Sequence, residues 1–172
     1  KPDEIPLSFA QKRLWFLHCL EGPSPTYNIP LVIQLTGTLD QTALIGALAD
    51  ITEKHETLRT IFPNKNGMPR QVILHPKSVQ PELHVTASSD QQIENQLNEA
   101  IRYSFQIEEE PALRAELFTL DANRSVLLLL LHHIAGDGWS LAPLTRDLAA
   151  AYEARIQGKS ISLPAEPVQY AD

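Results

Sequence analysis

Two adjacent histidines stand at the end of the most hydrophobic run of the sequence, in the stretch His132-His133-Ile-Ala-Gly-Asp137-Gly138-Trp139-Ser140. Because successive side chains of a strand point to opposite faces, His132 and His133 cannot both face one cavity. One imidazole can then act on a substrate while the other supports it from behind. An imidazole with an ordinary pKa of about 6.5 is suited to moving protons at neutral pH. Asp137-Gly138 indicates a sharp turn, because glycine tolerates a positive φ or a close backbone approach.

Spacing alone leaves other interpretations of the two histidines open. They can be buried histidines whose hydrogen bonds are satisfied at the end of a strand. A metal site is less favoured, because neighbouring strand residues diverge and no third histidine or HExxH spacing accompanies them. A nucleophilic triad is less favoured still, since the sequence has no GxSxG elbow and Cys19 lies in an apolar helical pattern with no visible activator. We therefore expect no metal.

The elements that must position these residues alternate irregularly between helix and strand. Ser8 and Gln11 have the spacing of a capping box, which predicts the start of the first helix. The run 126–131 is apolar on both faces and is therefore predicted to be a central strand. Helices are predicted at 8–20, from Asp40 to Ile51, at 89–103 and at 140–157. Strands are predicted at 29–35, 58–62, 71–74, 79–86, 113–118 and 126–131, with 58–62 and 71–74 forming a hairpin. The sequence thus predicts a mixed α/β sandwich.

The composition of the 172 residues predicts one soluble, acidic globular domain. Hydrophobic residues make up 43% and charged residues 20%, which argues against a disordered chain or a coiled coil. A net charge of −7 argues against sequence-independent nucleic-acid binding. No apolar run approaches the roughly 20 residues that cross a bilayer, and no secretion signal is visible. The single cysteine fits a reducing cytosol. We expect a cytoplasmic protein with no nucleic-acid or membrane partner.

Three segments resemble, in order, the motifs of condensation domains from nonribosomal peptide synthetases. The first is Ser8-Phe-Ala-Gln11-Lys-Arg13-Leu14-Trp15-Phe-Leu17, and the second is His55-Glu56-Thr-Leu58-Arg59-Thr60-Ile-Phe62. The third is the stretch from His132 to Ser140, which matches the HHxxxDG signature of that family. Shorter similar strings occur at Tyr27-Asn28-Ile29-Pro30, before Asp40 and at Pro111-Ala-Leu-Arg114. The resemblance covers essentially the whole chain.

The resemblance implies a chloramphenicol-acetyltransferase-like fold, in which two similar lobes enclose an active-site tunnel. Residues 1–160 would form the N-terminal lobe, a mixed sheet flanked by helices, and 161–172 would begin the linker to a missing C-terminal lobe. The implied reaction transfers an acyl or peptidyl thioester from an upstream carrier protein to the amino group of an aminoacyl thioester on a downstream carrier. The implied partners are both peptidyl carrier proteins, the C-terminal lobe and an adenylation domain. No cofactor is expected to bind directly, since the phosphopantetheine arms belong to the carriers.

Motif position also implies roles for individual residues. His133 would be the histidine in the tunnel, and His132 would support it from the opposite layer. Asp137 would fix the loop by pairing with an arginine, and the backbone N–H of Gly138 would contact the oxyanion. These residues do not decide whether the histidine removes a proton from the amine or mainly positions it. The other motif residues are expected chiefly to maintain the fold, namely Arg13, Trp15, His55, Arg59 and Trp139.

Other functions within reach of the same motifs are kept as alternatives. A stand-alone acyltransferase shares the HxxxDG pattern, and an epimerisation domain of a peptide synthetase keeps both histidines. Heterocyclisation domains are disfavoured because they replace the histidine pair with aspartates. The chain can also be a non-catalytic lobe, and by itself we expect it to fold without catalysing the reaction.

Overall fold

Four helices and eight strands alternate along residues 5–159, the part of the chain that the computed structural model describes. The helices are α1 (Phe9–Glu21), α2 (Gln41–Lys54), α3 (Ile93–Ala100) and α4 (Leu141–Ile156). The strands are β1 (Ile5–Pro6), β2 (Asn28–Thr36), β3 (Thr60–Ile61), β4 (Asn64–Lys65), β5 (Met68–Ile73), β6 (Leu83–Ala87), β7 (Leu113–Asp121) and β8 (Arg124–His132). The start of α1 is as expected, since Ser8 and Gln11 exchange the two hydrogen bonds of a capping box.

The larger sheet carries the histidine motif at the end of its central strand. Its strand order is β2-β8-β7-β6, with β8 antiparallel to both neighbours and β6 parallel to β7. The prediction of a central strand at 126–131 is therefore confirmed. In the smaller sheet, β1, β3 and β4 each pair antiparallel with β5. The pairing of Thr60 with Ile73 confirms the predicted hairpin between segments 58–62 and 71–74.

Side chains of β8 alternate between two cores, one on each face of the larger sheet. Leu127, Leu129 and Leu131 pack with α2 and α4, and Leu128 and Leu130 pack with residues of α1 and α3. All five leucines are at most 2% exposed. Strong burial on both faces explains why the strand is apolar throughout, and it gives the mixed sheet flanked by helices that was predicted.

Three predicted elements differ from the structure. The first two residues of the predicted strand 58–62 belong to a 3-10 turn over Glu56–Arg59, and only Thr60–Ile61 forms a strand. The Thr60 hydroxyl donates to the Glu56 carbonyl at 2.7 Å, which favours the turn locally. Helix α3 is shorter than 89–103, because the chain forms turns rather than helix both before Ile93 and after Ala100. The extended piece predicted at 79–86 begins as a strand only at Leu83.

Within residues 5–159, no helix is both long enough and apolar enough to cross a membrane. The expected lobe boundary near residue 160 and the expected linker at 161–172 lie outside the described residues.

Candidate active site

The three sequence motifs meet at one open cavity of about 610 Å³. Its lining residues mostly come from the turn and loop that follow β8, from the first half of α1, from the segment that follows α2, and from Tyr27. A cavity of this size is in the range that holds small-molecule ligands. The described residues that line it are Ala10, Gln11, Arg13, Leu14, Tyr27, His55, Thr57, His133, Ile134, Ala135, Gly136, Asp137, Ser140 and Pro143.

The rings of the two histidines lie in different surroundings, as strand alternation predicts. His132 is the last residue of β8 and is 2% exposed. Its ring makes an edge contact with Phe105 at a centroid distance of 6.1 Å and a tilted contact with Tyr27 at 6.2 Å. His133 is the first residue of the following turn, is exposed and lines the cavity. Its backbone N–H donates to the carbonyl of Tyr27 at 2.9 Å, which fixes the start of the turn.

His132 is held in its neutral form. Burial lowers its pKa to about 4, and the charges of His18 and His133 act in the same direction. The Nδ1 atom of His132 accepts a hydrogen bond from the backbone N–H of Ile134 at 3.1 Å. Since Nδ1 is the acceptor, the proton of the neutral ring is on Nε2. A buried neutral imidazole therefore supports the backbone next to the exposed one.

The loop between His133 and α4 is closed by reciprocal hydrogen bonds between Asp137 and Ser140. The Ser140 backbone N–H and hydroxyl donate to Oδ1 of Asp137 at 3.1 and 3.0 Å. The Asp137 N–H donates to the Ser140 hydroxyl oxygen at 3.3 Å. This exchange has the pattern of a capping box and starts the 3-10 turn that leads into α4. The structure thus gives Asp137 a loop-fixing contact with Ser140, and its pairing with an arginine stays a prediction.

Gly138 lies outside the described lining of the cavity, at the start of the 3-10 turn Gly138–Ser140. Its φ is not in the left-handed region, and a Cβ added there would meet nothing within 4 Å. The expectation of a positive φ at this glycine is therefore wrong. An oxyanion contact from its N–H stays a prediction. The side chain of Trp139 lies outside the described part of the structure.

The first motif divides between the cavity and the core. The Arg13 side chain is exposed and lines the cavity. Trp15 is half-buried, packs in the core behind β8, and donates from Nε1 to the carbonyl of Phe62 at 3.1 Å. Arg13 and Trp15, two positions apart in α1, therefore have different surroundings, and the structure brings Arg13 to the same cavity as His133.

The second motif is held by a buried carboxylate of α4. Oδ2 of Asp147 accepts hydrogen bonds from Lys54 Nζ at 2.6 Å and from His55 Nε2 at 2.9 Å. Burial by itself would raise the pKa of Asp147, but hydrogen bonds and charge from Lys54 and His55 outweigh burial and lower it. His55 also lines the cavity, whereas Arg59 is not among the lining residues and donates to the carbonyl of Leu74. Sequence reasoning missed Lys54 and Asp147, because no local pattern indicates that positions so far apart will pair.

Sequence reasoning also missed the side chains of Gln11, Tyr27 and Thr57 at this cavity. The signal available for Gln11 was its membership of the first motif, where only its capping role was recognised. Among residues 5–159, no group of three or more His, Cys, Asp or Glu side chains is arranged to hold a metal ion.

A family model described as Condensation domain matches residues 1–172. Over 172 residues the chain is 58% identical to a dimodular nonribosomal peptide synthase of Bacillus subtilis (strain 168), covering 100% of this chain and 7% of that protein. The chain spans between 2% and 7% of the length of this and other curated relatives.

Solved structures match the fold. The X-domain from teicoplanin biosynthesis superposes with a TM-score of 0.92 at 32% identity, covering 99% of this chain and 37% of that chain. The starter condensation domain of rhizomide synthetase superposes with a TM-score of 0.83 at 22% identity, covering 94% of this chain and 40% of that chain. The second likeness shows the fold alone. The predicted chloramphenicol-acetyltransferase-like fold class, with a mixed sheet flanked by helices, is confirmed.

Proposed function

The chain belongs to the condensation-domain family of nonribosomal peptide synthetases, and from that premise we propose that it is the histidine-bearing N-terminal lobe of an amide-forming acyltransferase. Residues 1–160 form the lobe in this proposal, and 161–172 begin the linker to a second lobe. The solved neighbours support it, because this chain covers only 37% to 40% of their lengths. Stand-alone acyltransferase and epimerisation activities are not favoured, since the condensation-domain model matches the whole chain.

The observation that carries the proposal is the position of His133. An exposed imidazole stands in a cavity that also receives Arg13 from the first motif and His55 from the second. The backbone N–H of His133 donates to the carbonyl of Tyr27, and the N–H of the next residue, Ile134, donates to Nδ1 of His132. These two bonds fix the backbone on both sides of His133. A titratable group that is free to meet a substrate but held by a fixed backbone suits proton transfer or positioning.

The proposed reaction forms one bond and breaks another. The amino nitrogen of the acceptor attacks the carbonyl carbon of the donor thioester, a C–N bond forms, and the C–S bond breaks. The proton lost by the nitrogen goes to the departing sulfur, so the products are an amide and a free thiol. In this proposal His133 takes the proton from the nitrogen and passes it to the sulfur, or it orients the amine, and the N–H of Gly138 stabilises the oxyanion.

The remaining assignments follow from the family. The substrates arrive on the phosphopantetheine arms of an upstream and a downstream peptidyl carrier protein, and these arms belong to the substrates rather than to this chain. We propose the C-terminal lobe of the same domain as the second wall of the site and an adenylation domain as a further partner. A cytoplasmic location is part of the same proposal.

Amide transfer in the full-length protein tests the function. Both carrier domains are loaded with aminoacyl groups, and the downstream carrier is followed by intact-protein mass spectrometry. We expect its mass to increase by the donor acyl group, and no such increase when the upstream carrier is left unloaded. Two loaded carriers with no mass transfer between them would overturn the proposed function.

A further inference from the structure

A chain of buried amide groups runs from the first strand to the histidine loop through Gln11. Gln11 is 2% exposed, and its Oε1 accepts from the backbone N–H of Ser8 at 3.0 Å. Its Nε2 donates to the carbonyl of Ile134 at 3.2 Å and more weakly to Oε1 of Gln71 at 3.4 Å. The Nε2 of Gln71 in turn donates to the carbonyl of Pro6 at 2.9 Å. Buried amides with both ends bonded have few alternative positions.

The series of hydrogen-bonded amide groups ends at Ile134, the residue that follows His133. The N–H of Ile134 is bound by Nδ1 of His132, and its carbonyl is bound by Gln11. The next N–H, of Ala135, donates to the carbonyl of His132 at 3.0 Å. Gln11 therefore supplies, from helix α1, the hydrogen bond that the carbonyl of Ile134 in this turn receives. Loss of that bond would leave a buried carbonyl without this donor and free the turn to move.

We infer that Gln11 is a positioning residue for the active site, acting through Ile134 to set where the His133 ring stands in the cavity. The inference rests on the proposed function, and it gives the glutamine of the first motif a role besides capping α1. A glutamine suits this position because it offers an acceptor to Ser8 and a donor to Ile134 at once. A displacement of about 1 Å at a reacting group can cost on the order of a hundredfold in rate.

The structure offers a matched control at the other end of the same amide chain. Gln11→Met keeps the side-chain length and removes the bonds to Ile134, Ser8 and Gln71. Gln71→Met removes the bond to Pro6 and the weak bond from Gln11, but leaves the Gln11–Ile134 bond in place. Both changes remove hydrogen bonds of a buried glutamine, so both should lower the melting temperature. Only Gln11→Met should disturb the histidine turn.

The test measures transfer in the full-length protein with the loaded donor carrier supplied in trans. We expect Gln11→Met to lower the saturating rate roughly 10- to 100-fold, with the half-saturating carrier concentration unchanged. Gln71→Met should stay within about twofold of the natural protein. Equal losses in the two variants, or an unchanged rate in Gln11→Met, would overturn the inference.

Hydrogen exchange separates this inference from the proposed function. The backbone amides of Ile134 and Ala135 should exchange about tenfold faster in Gln11→Met than in Gln71→Met. If the natural protein transfers no acyl group, the proposed function fails, and the exchange rates alone decide whether Gln11 holds the turn. If Gln11→Met does not fold, Gln11→Asn, which keeps the amide but shortens its reach, should show the same two effects.

Discussion

The buried imidazole of His132 links the stability of the fold to pH. In the folded chain its pKa is about 4, lowered from an ordinary value of 6.5 mainly by burial. Between these two values the unfolded chain binds more protons than the folded chain. The stabilising effect is therefore complete above about pH 6.5, and it is lost as the pH falls toward the folded pKa. The gap between the two pKa values corresponds to a loss on the order of 3 kcal/mol in the free energy of unfolding.

Urea unfolding at about pH 7.5 and about pH 4.5 tests this effect at His132. His132→Asn is the matched variant, because an amide oxygen can replace Nδ1 as the acceptor for Ile134 and does not titrate. We expect the natural protein to lose roughly 2 kcal/mol more than His132→Asn between the two pH values. Carboxyl groups elsewhere titrate in both proteins and cancel in the comparison. The same pH dependence in both would show that His132 is not the group responsible.

At the scale of elements, the ion pair between Lys54 and Asp147 fixes α4 against α2. Their side chains are each 7% exposed, so removal of the Asp147 charge takes the carboxylate away from a buried ammonium group. Asp147→Asn should lower the free energy of unfolding by about 3 kcal/mol. The same two helices also share a more exposed pair, Asp50 with Arg155, whose loss in Asp50→Asn should cost about 1 kcal/mol or less. Chemical denaturation measures both, and similar losses in the two variants would contradict the assigned importance of Asp147.

The elements that the sequence predicted well are those whose signals are local. Strand β8 was recognised from its own apolar run, and the start of α1 from Ser8 and Gln11. The two histidine rings diverge because successive side chains of a strand point to opposite faces. The 3-10 turn Glu56–Arg59 was missed because the segment 58–62 has the composition of a short strand, whereas the turn is favoured by a bond from the Thr60 hydroxyl to the backbone.

The parts of the site that were missed depend on distant pairs. Lys54 and Asp147 are 93 positions apart, and Gln11 and Ile134 are 123 positions apart. No helical or strand period connects such positions, so only the packing of α1, α2 and α4 around β8 reveals them. The motifs indicated that three segments matter, and the fold shows that they share one cavity.

At the scale of the whole molecule, α1 carries an exposed apolar stripe. Phe9, Phe16 and Leu20 are 91%, 61% and 69% exposed and fall on one face of the helix. We expect the 172-residue chain by itself to self-associate through this stripe. Light scattering should show a smaller average mass for the double variant Phe9→Ser/Phe16→Ser than for the unsubstituted chain. Met68→Ser, at a 72% exposed position of β5, should not change it. A monomeric natural chain would contradict this expectation.

The 172-residue chain by itself should also fold without forming the amide. His133 is exposed in a cavity that opens to water, and transfer needs a site that excludes water and fixes both substrates. Circular dichroism should show a cooperative unfolding transition, and the mass-transfer assay should show no product. Product formed at the rate of the full-length protein would contradict the proposal that a second lobe completes the site.

The central claim is that His133 acts on the substrates, and the rate of amide transfer by His133→Ala in the full-length protein tests it most directly. We predict a loss of roughly 10² to 10⁴ in the single-turnover rate, the range typical of general acid–base and positioning groups. Because the ring is exposed, the melting temperature should not change. Transfer at the natural rate by a folded His133→Ala variant would contradict the claim, and so would a His132→Ala variant that is fully stable and inactive.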